Sequence, residues 1–330
     1  MSDTLFAGHD WLLADGATGT NLFDMGLTSG DAPELWNETH PDRIRRLHRN
    51  FVEAGADIIL TNSFGGTRRR LALHNLDGRV FELNKLAAEN ARAVADAADR
   101  KVFVAGSVGP TGDLFAPLGV MTPELAEDVF AEQIEGLKAG GADVIWIETM
   151  SALEEMHAAA TAAAKVGMPY TVTASFDTAG NTMMGIRPET MIREVSAYAP
   201  HPHGIGCNCG VGASDLLCSV LAMTHAMPDA LVIAKGNCGI PQVGAGGVTY
   251  SGTPEVMAAY ATLAVDAGAR IVGGCCGTRP EHLLAMRRAL EGHTKGERPT
   301  LEQIIAAIGP LASPPSTVDA GARRAGRRRG

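Results

Sequence analysis

Aromatic residues make up only 5% of the 330 positions, so any core must be aliphatic. Positive charge is also short. Twenty-eight Lys and Arg face thirty-seven Asp and Glu, and the formal net charge of -9 argues against a nucleic-acid partner. No stretch nears the roughly 20 apolar residues that cross a bilayer, and the opening MSDTLFAGHD has neither a basic flank nor a hydrophobic signal core. No membrane association and a cytoplasmic setting are therefore expected. In that reducing compartment the six cysteines read as core residues, metal ligands or reactive thiols rather than as a disulfide framework. Also missing is the glycine fingerprint of dinucleotide sites, since ADGATGTNL after the first apolar run is not G-x-G-x-x-G.

What is present is 45% hydrophobic and 20% charged residue, enough for a large aliphatic core. Eight short apolar runs recur along the chain: WLLADG at 11, DIILTNSF at 57, KVFVAGSVG at 101, DVIWIETM at 143, PYTVTASF at 169, HGIGCNCG at 203, ALVIAKGN at 230 and ARIVGGCCG at 269. Most lack polar alternation, as strands covered on both faces do. Stretches of helical spacing separate them, such as Ile44, Leu47 and Phe51 ahead of a glycine. Several begin with a capping hydroxyl and a proline, at Thr122-Pro123 and Thr253-Pro254. Eight βα steps without the dinucleotide fingerprint predict a single (β/α)8 barrel, an α/β TIM-barrel fold, over residues 1–311, closed by a short helix in LEQIIAAIG at 301. Residues 312–330, with prolines, small residues and five arginines, are expected to be a largely disordered basic tail.

In such a barrel the active site forms at the carboxyl ends of the strands. Those ends carry Asp15, Asn62, Ser107, Glu148, Ser175, Cys209, Lys235 with Asn237, and Cys275 with Cys276. Histidine is absent from the set, so a His-based acid–base mechanism has no support. The thiols are its sharpest feature. Cys209 after the sixth run can meet Cys275 and Cys276 after the eighth, and thiolates that close repel unless a cation such as Zn2+ neutralises them. The alternatives are a strained vicinal disulfide at 275–276, or Cys207, two residues before Cys209, as a substitute ligand. Cys218 reads as a small buried hydrophobe and Cys238 has no assigned role. Three protein ligands leave one tetrahedral position open, and an all-sulfur shell suits activation of a substrate thiol better than of water. Asp15 and Glu148 suit a cationic group such as an amino-acid amine, although Asp15 also fits a turn and Glu148 an ion pair with Lys235. Lys235 alone would suit a Schiff-base aldolase, which leaves the thiols idle. Backbone amides in the run from Asp15 to Thr20 can meet a carboxylate.

The ordered motifs DGATGTNL, GADIILTNSFGGT, GSVGPTGD, GCNCG and GGCCGTRPEH, with a fourth strand ending in Glu148, resemble the homocysteine S-methyltransferase family over nearly everything before the tail. The resemblance implies that Cys209, Cys275 and Cys276 bind zinc. It also implies that Asp15 and Glu148 hold the homocysteine amine, and that backbone at Gly16 and Ala17 meets its carboxylate. The expected activity is a methyltransferase that forms methionine, with betaine or a similar small onium compound as donor. The alternative is a homocysteine-binding module that accepts methyl from a separate methylcorrinoid protein, as in methionine synthase. Trp36, Phe64, Phe115 and Tyr250 are the aromatic candidates for an onium group. Betaine enzymes of animal type carry tyrosines where this chain has Gly65 and Thr149, and TNSFGGTRRRL resembles the methionine synthase module. A homo-oligomer stays open.

Overall fold

The computed structural model describes residues 6, 8–244 and 247–312, with backbone alone for 241–244 and 247–248. Eight parallel strands form one sheet: β1 (Leu12–Leu13), β2 (Ile58–Leu60), β3 (Phe103–Val108), β4 (Val144–Met150), β5 (Tyr170–Ala174), β6 (Ile205–Cys209), β7 (Val232–Gly236) and, after a hairpin, β10 (Ala269–Gly274). The order β1-β10-β7-β6-β5-β4-β3-β2 places β1 and β2 at opposite ends, and a parallel bridge between Ala14 and Ile58 joins them into a ring. The expected TIM barrel is thus observed. Each apolar run of the sequence contains one of these strands.

Side chains alternate across the barrel wall with period two. Leu12, Ala14, Ile58, Leu60, Phe103, Ala105, Val144, Trp146, Ile233 and Ile271 cluster inside, while Leu13, Ile59, Val104, Ile145, Val232 and Val272 join the larger core under the helices. Phe6 packs edge-on to Phe103 among the inward set, ring centroids 5.4 Å apart. One step further along the strands, the inward positions of β3, β4 and β7 are Ser107, Glu148 and Lys235. The alternation that builds the apolar interior therefore also sets polar side chains at its upper end.

Helices start where the sequence marks them. Thr122 and Thr253 accept from the amides of Leu125 and Val256, each with proline next in the chain. The expected terminal helix spans Leu301–Ile308 behind a capping box of Thr300 and Gln303. Apart from Ala312, the basic tail lies outside the described residues. The sequence reading missed β8 (Pro241–Gly244) and β9 (Gly247–Tyr250), an antiparallel hairpin between β7 and the following helix. Among the described residues no helix is long and apolar enough to cross a membrane.

Candidate metal and substrate site

Cys209, Cys275 and Cys276, 66 positions or more apart in sequence for Cys209 and its two partners, bring their sulfurs within 4.8 Å of one another at the barrel mouth. The Cys209 and Cys276 sulfurs are 3.9 Å apart. Two local backbone features produce the convergence. Cys209, the last residue of β6, has φ +61° and Gly210 follows at +75°, which swings its side chain off the pleat. Cys275 and Cys276 lie beyond β10 in a turn with Gly277 at φ +79°, so the strand rule that sends neighbours to opposite faces does not bind them. Asn237 ties the two segments together: it accepts from the Cys276 amide at 3.0 Å and donates to the Gly210 carbonyl at 2.7 Å.

Cys207 does not join the group. The left-handed residue at 209 breaks the shared face expected for positions two apart, and Cys207 instead points outward into the helix-side core, 1% exposed. Cys238 is buried with its sulfur 3.4 Å from the Gly252 carbonyl, and Cys218 is half-buried on the helix Ala213–Ala226. All six cysteines are free thiols. Proximity to Cys275 pushes the Cys209 thiol up to about 12, and the Cys209 contact pushes Cys276 up to about 11. Crowded thiols resist ionising together, and a divalent cation is what would lift that resistance.

The sulfurs line a cavity of about 270 Å3 whose wall also includes Gly16, Ala17, Thr18, Gly19, Glu34, Phe64, Ser107, Glu148, Thr149 and Lys235. Glu148 is 7% exposed, and its Oε1 accepts from Ser107 Oγ at 2.5 Å. Burial pushes its carboxyl above the ordinary range, opposed by the nearby Lys235 charge. Asp15 is placed differently from Glu148. It is 2% exposed and absent from the cavity wall; Oδ1 takes Lys235 Nζ at 2.7 Å and Oδ2 takes the Leu60 amide at 2.7 Å. Lys235 thus pairs with Asp15, not with Glu148 as one reading of the sequence had it. The Ala17 amide also has a protein partner, the Thr278 carbonyl at 3.1 Å. The amides of Thr18 and Gly19, in the first turn of the helix Thr18–Asp24, have no partner within that helix.

Of the other strand-end residues, Asn62 lines the cavity and donates to Pro33 O at 2.7 Å and to Asn37, whereas Ser175 is outside the cavity lining, 3.4 Å from Asp177. Sequence reasoning missed Asn208, the inward residue between the two β6 cysteines. Its carbonyl accepts from Thr149 N at 2.8 Å and Thr173 Oγ1 at 2.7 Å, and its amide reaches Thr149 Oγ1 at 2.7 Å. It also missed Glu34, which no strand-end rule would find because it sits in the short turn Pro33–Leu35.

A family model described as homocysteine S-methyltransferase matches residues 12–290. Methionine synthase of Mycobacterium leprae (strain TN) is 31% identical over 339 aligned positions, and that of Mycobacterium tuberculosis (strain ATCC 25618 / H37Rv) 32% over 334; each alignment covers 94% of this chain and 28% of the relative. The chain thus spans little more than a quarter of the length of these curated relatives. Among solved structures, the homocysteine methyltransferase MmuM from Escherichia coli superposes in its oxidized form with TM-score 0.73 at 24% identity, covering 86% of this chain and 98% of that one. Its metallated form gives 0.71 at 24% identity over 85% and 96%. These superpositions carry the fold, and the family match carries the kinship: the chain belongs to the homocysteine S-methyltransferase family.

Proposed function

We propose that the protein is a zinc-dependent homocysteine S-methyltransferase that forms methionine, with a small onium compound such as betaine as methyl donor. The observation that carries this reading is the convergence of three thiols on the wall of a cavity that also holds the buried carboxylate of Glu148. The donor set suits zinc, which takes sulfur ligands tetrahedrally and would leave a fourth position for a substrate thiol. Bound there, zinc would supply the charge that keeps that thiol ionised at neutral pH.

The chain's own residues supply position and charge. Glu148 takes the homocysteine ammonium, with Asp15 behind it as the counter-charge that fixes Lys235. The first-turn amides at Thr18 and Gly19, flanked by the Gly16 and Ala17 backbone, take the carboxylate. A sulfur lone pair then attacks the methyl carbon in line, the bond from carbon to the onium atom breaks, and its electron pair neutralises the leaving group. No oxidant or reductant is needed. At about 270 Å3 the cavity is smaller than the roughly 300–1,000 Å3 of sites for drug-sized ligands, which favours small reactants.

One observation favours the second reading, a methylcorrinoid protein as donor. Phe64, Leu114, Leu118, Val120, Met183 and Met184 are 40–74% exposed on loops that follow β2, β3 and β5 at the mouth. An apolar rim of that kind suits a docking protein. A donor panel with homocysteine as acceptor tests both: methionine formed by the purified, zinc-loaded chain from betaine or S-methylmethionine supports the first reading. Turnover only with a methylcorrinoid protein supports the second, and loss of neither metal nor activity in Cys275→Ala would refute the site itself.

A further inference from the structure

Glu34 is a buried carboxylate for which the site as described has no use. It is 6% exposed, lines the same cavity as the three sulfurs, and accepts the Gly65 amide on Oε1 at 2.7 Å. No Lys, Arg or His of the described residues forms an ion pair with it; His74 and Arg70 act only at longer range. Asp15, equally buried, has Lys235 at 2.7 Å. An ionised carboxylate withdrawn from water without a counter-charge is costly, so a group of this kind is in place for a cation that arrives with a ligand.

Local geometry keeps the carboxylate at the cavity. A Cβ at position 65 would lie 2.9 Å from Glu34 Oε1, so the glycine is what leaves room for the carboxylate against the chain. Phe64, one residue earlier, lines the same cavity. A carboxylate and an aromatic ring lining one cavity can attract an onium group both by Coulomb force and by the ring quadrupole. The cavity thus holds two carboxylates, Glu148 at a strand end and Glu34 on a loop, and the two reactants of the proposed transfer bring two positive charges.

Building on the small-onium reading above, we propose that Glu34 receives the positive charge of the methyl donor and so selects onium donors over neutral ones. The donor loses that charge as its methyl leaves, so Glu34 favours the bound donor more than the transition state, and its removal raises the donor KM without lowering kcat.

The test pairs turnover with binding in the zinc-loaded protein. Calorimetry with tetramethylammonium and trimethylsulfonium, neither of which requires turnover, is run on the wild type, Glu34→Gln and Gly65→Ala, the last of which displaces the carboxylate without removing it. Steady-state kinetics with betaine and S-methylmethionine follow on the same proteins. The expected result is a loss of onium affinity by about 10- to 100-fold in both variants, with donor KM raised to match and the homocysteine KM unchanged. Glu34→Asp should recover part of the affinity. Equal onium affinity in wild type and variants, including none in all, overturns the proposal, as does a rise in homocysteine KM instead. Glu34-dependent onium binding without methionine formation would sink the donor reading while leaving Glu34's role standing. Turnover indifferent to Glu34 would do the reverse.

Discussion

Two aspartates clasp the same seam of the barrel from opposite ends. Asp15, at the mouth end of β1, accepts the Leu60 amide of β2, and Asp57, at the floor end of β2, accepts the Leu13 amide of β1 at 2.9 Å. The backbone logic is identical and the surroundings are opposite. Asp57 is 16% exposed and shared by Arg100 and Arg287, themselves 33% and 26% exposed. Asp15 and its lysine are each 2% exposed and adjoin the cavity. The floor pair is a hydrated fastening that any charged residues of sufficient reach can make. The mouth pair is dry, costly to desolvate and held beside the clustered thiols, at the end of the barrel where this fold builds its sites.

Breaking the mouth at the three clustered thiols, the proposed metal ligands, should have the largest effect. Cys275→Ala is expected to abolish both stoichiometric zinc in elemental analysis and methionine formation, whereas Asp57→Ala should retain both. Breaking the charge pair comes next. Lys235→Ala leaves Asp15 and Glu148 buried without their cation and should lower urea-unfolding stability by about 3–5 kcal/mol. The double replacement Asp15→Leu with Lys235→Met should recover most of that stability and none of the homocysteine affinity. Removing the Asn237 brace by Asn237→Ala should weaken zinc retention by about 10- to 100-fold in a chelator competition, with the fold intact. On the floor, Arg100→Ala should cost only about 0.2–1 kcal/mol in the same urea assay, because the pair is partly in water. An equal loss from Arg100→Ala and Lys235→Ala would dissolve the contrast.

The subtlest distinction is in pH. Burial raises the Glu148 carboxyl above its ordinary 4.5, so the folded state binds the proton more tightly than the unfolded chain. The associated stability is complete below pH 4.5 and is lost as pH rises through the folded value. Glu148→Gln cannot ionise and should flatten the decline over that window, read from unfolding midpoints at a series of pH values.

The barrel was legible because its signals are local. Continuous apolar runs, capping threonines and first-turn prolines each depend on a few neighbouring residues, and the eight strands fall within the eight runs. The meeting of Cys209 with Cys275 and Cys276 was legible for a different reason: strand ends in this fold share one rim. What escaped depends on conformations that side-chain type does not encode. Nothing in CNC announces that Cys209 adopts a left-handed backbone, and that single torsion separates it from Cys207. Glu34 escaped because it sits on a turn rather than a strand end, and Lys235 was placed at the mouth without its choice of Asp15 over Glu148 being readable. The hairpin at 241–250 carries glycines and a proline that mimic an irregular loop.

The two-residue length of β1 has a consequence for how the molecule breathes. Its stave meets β2 at a single bridge position, Ala14 to Ile58, where every other neighbouring pair in the ring shares at least two; the seam is otherwise held by the Asp15 amide on the Ile58 carbonyl at 2.9 Å, the Asp57 amide on the Leu13 carbonyl at 2.7 Å and the two aspartate clasps. Deuterium should therefore enter the wall first at the Leu13 and Leu60 amides, and each such opening would loosen Asp15, the anion that latches Lys235, right beside the turn that carries Cys275 and Cys276.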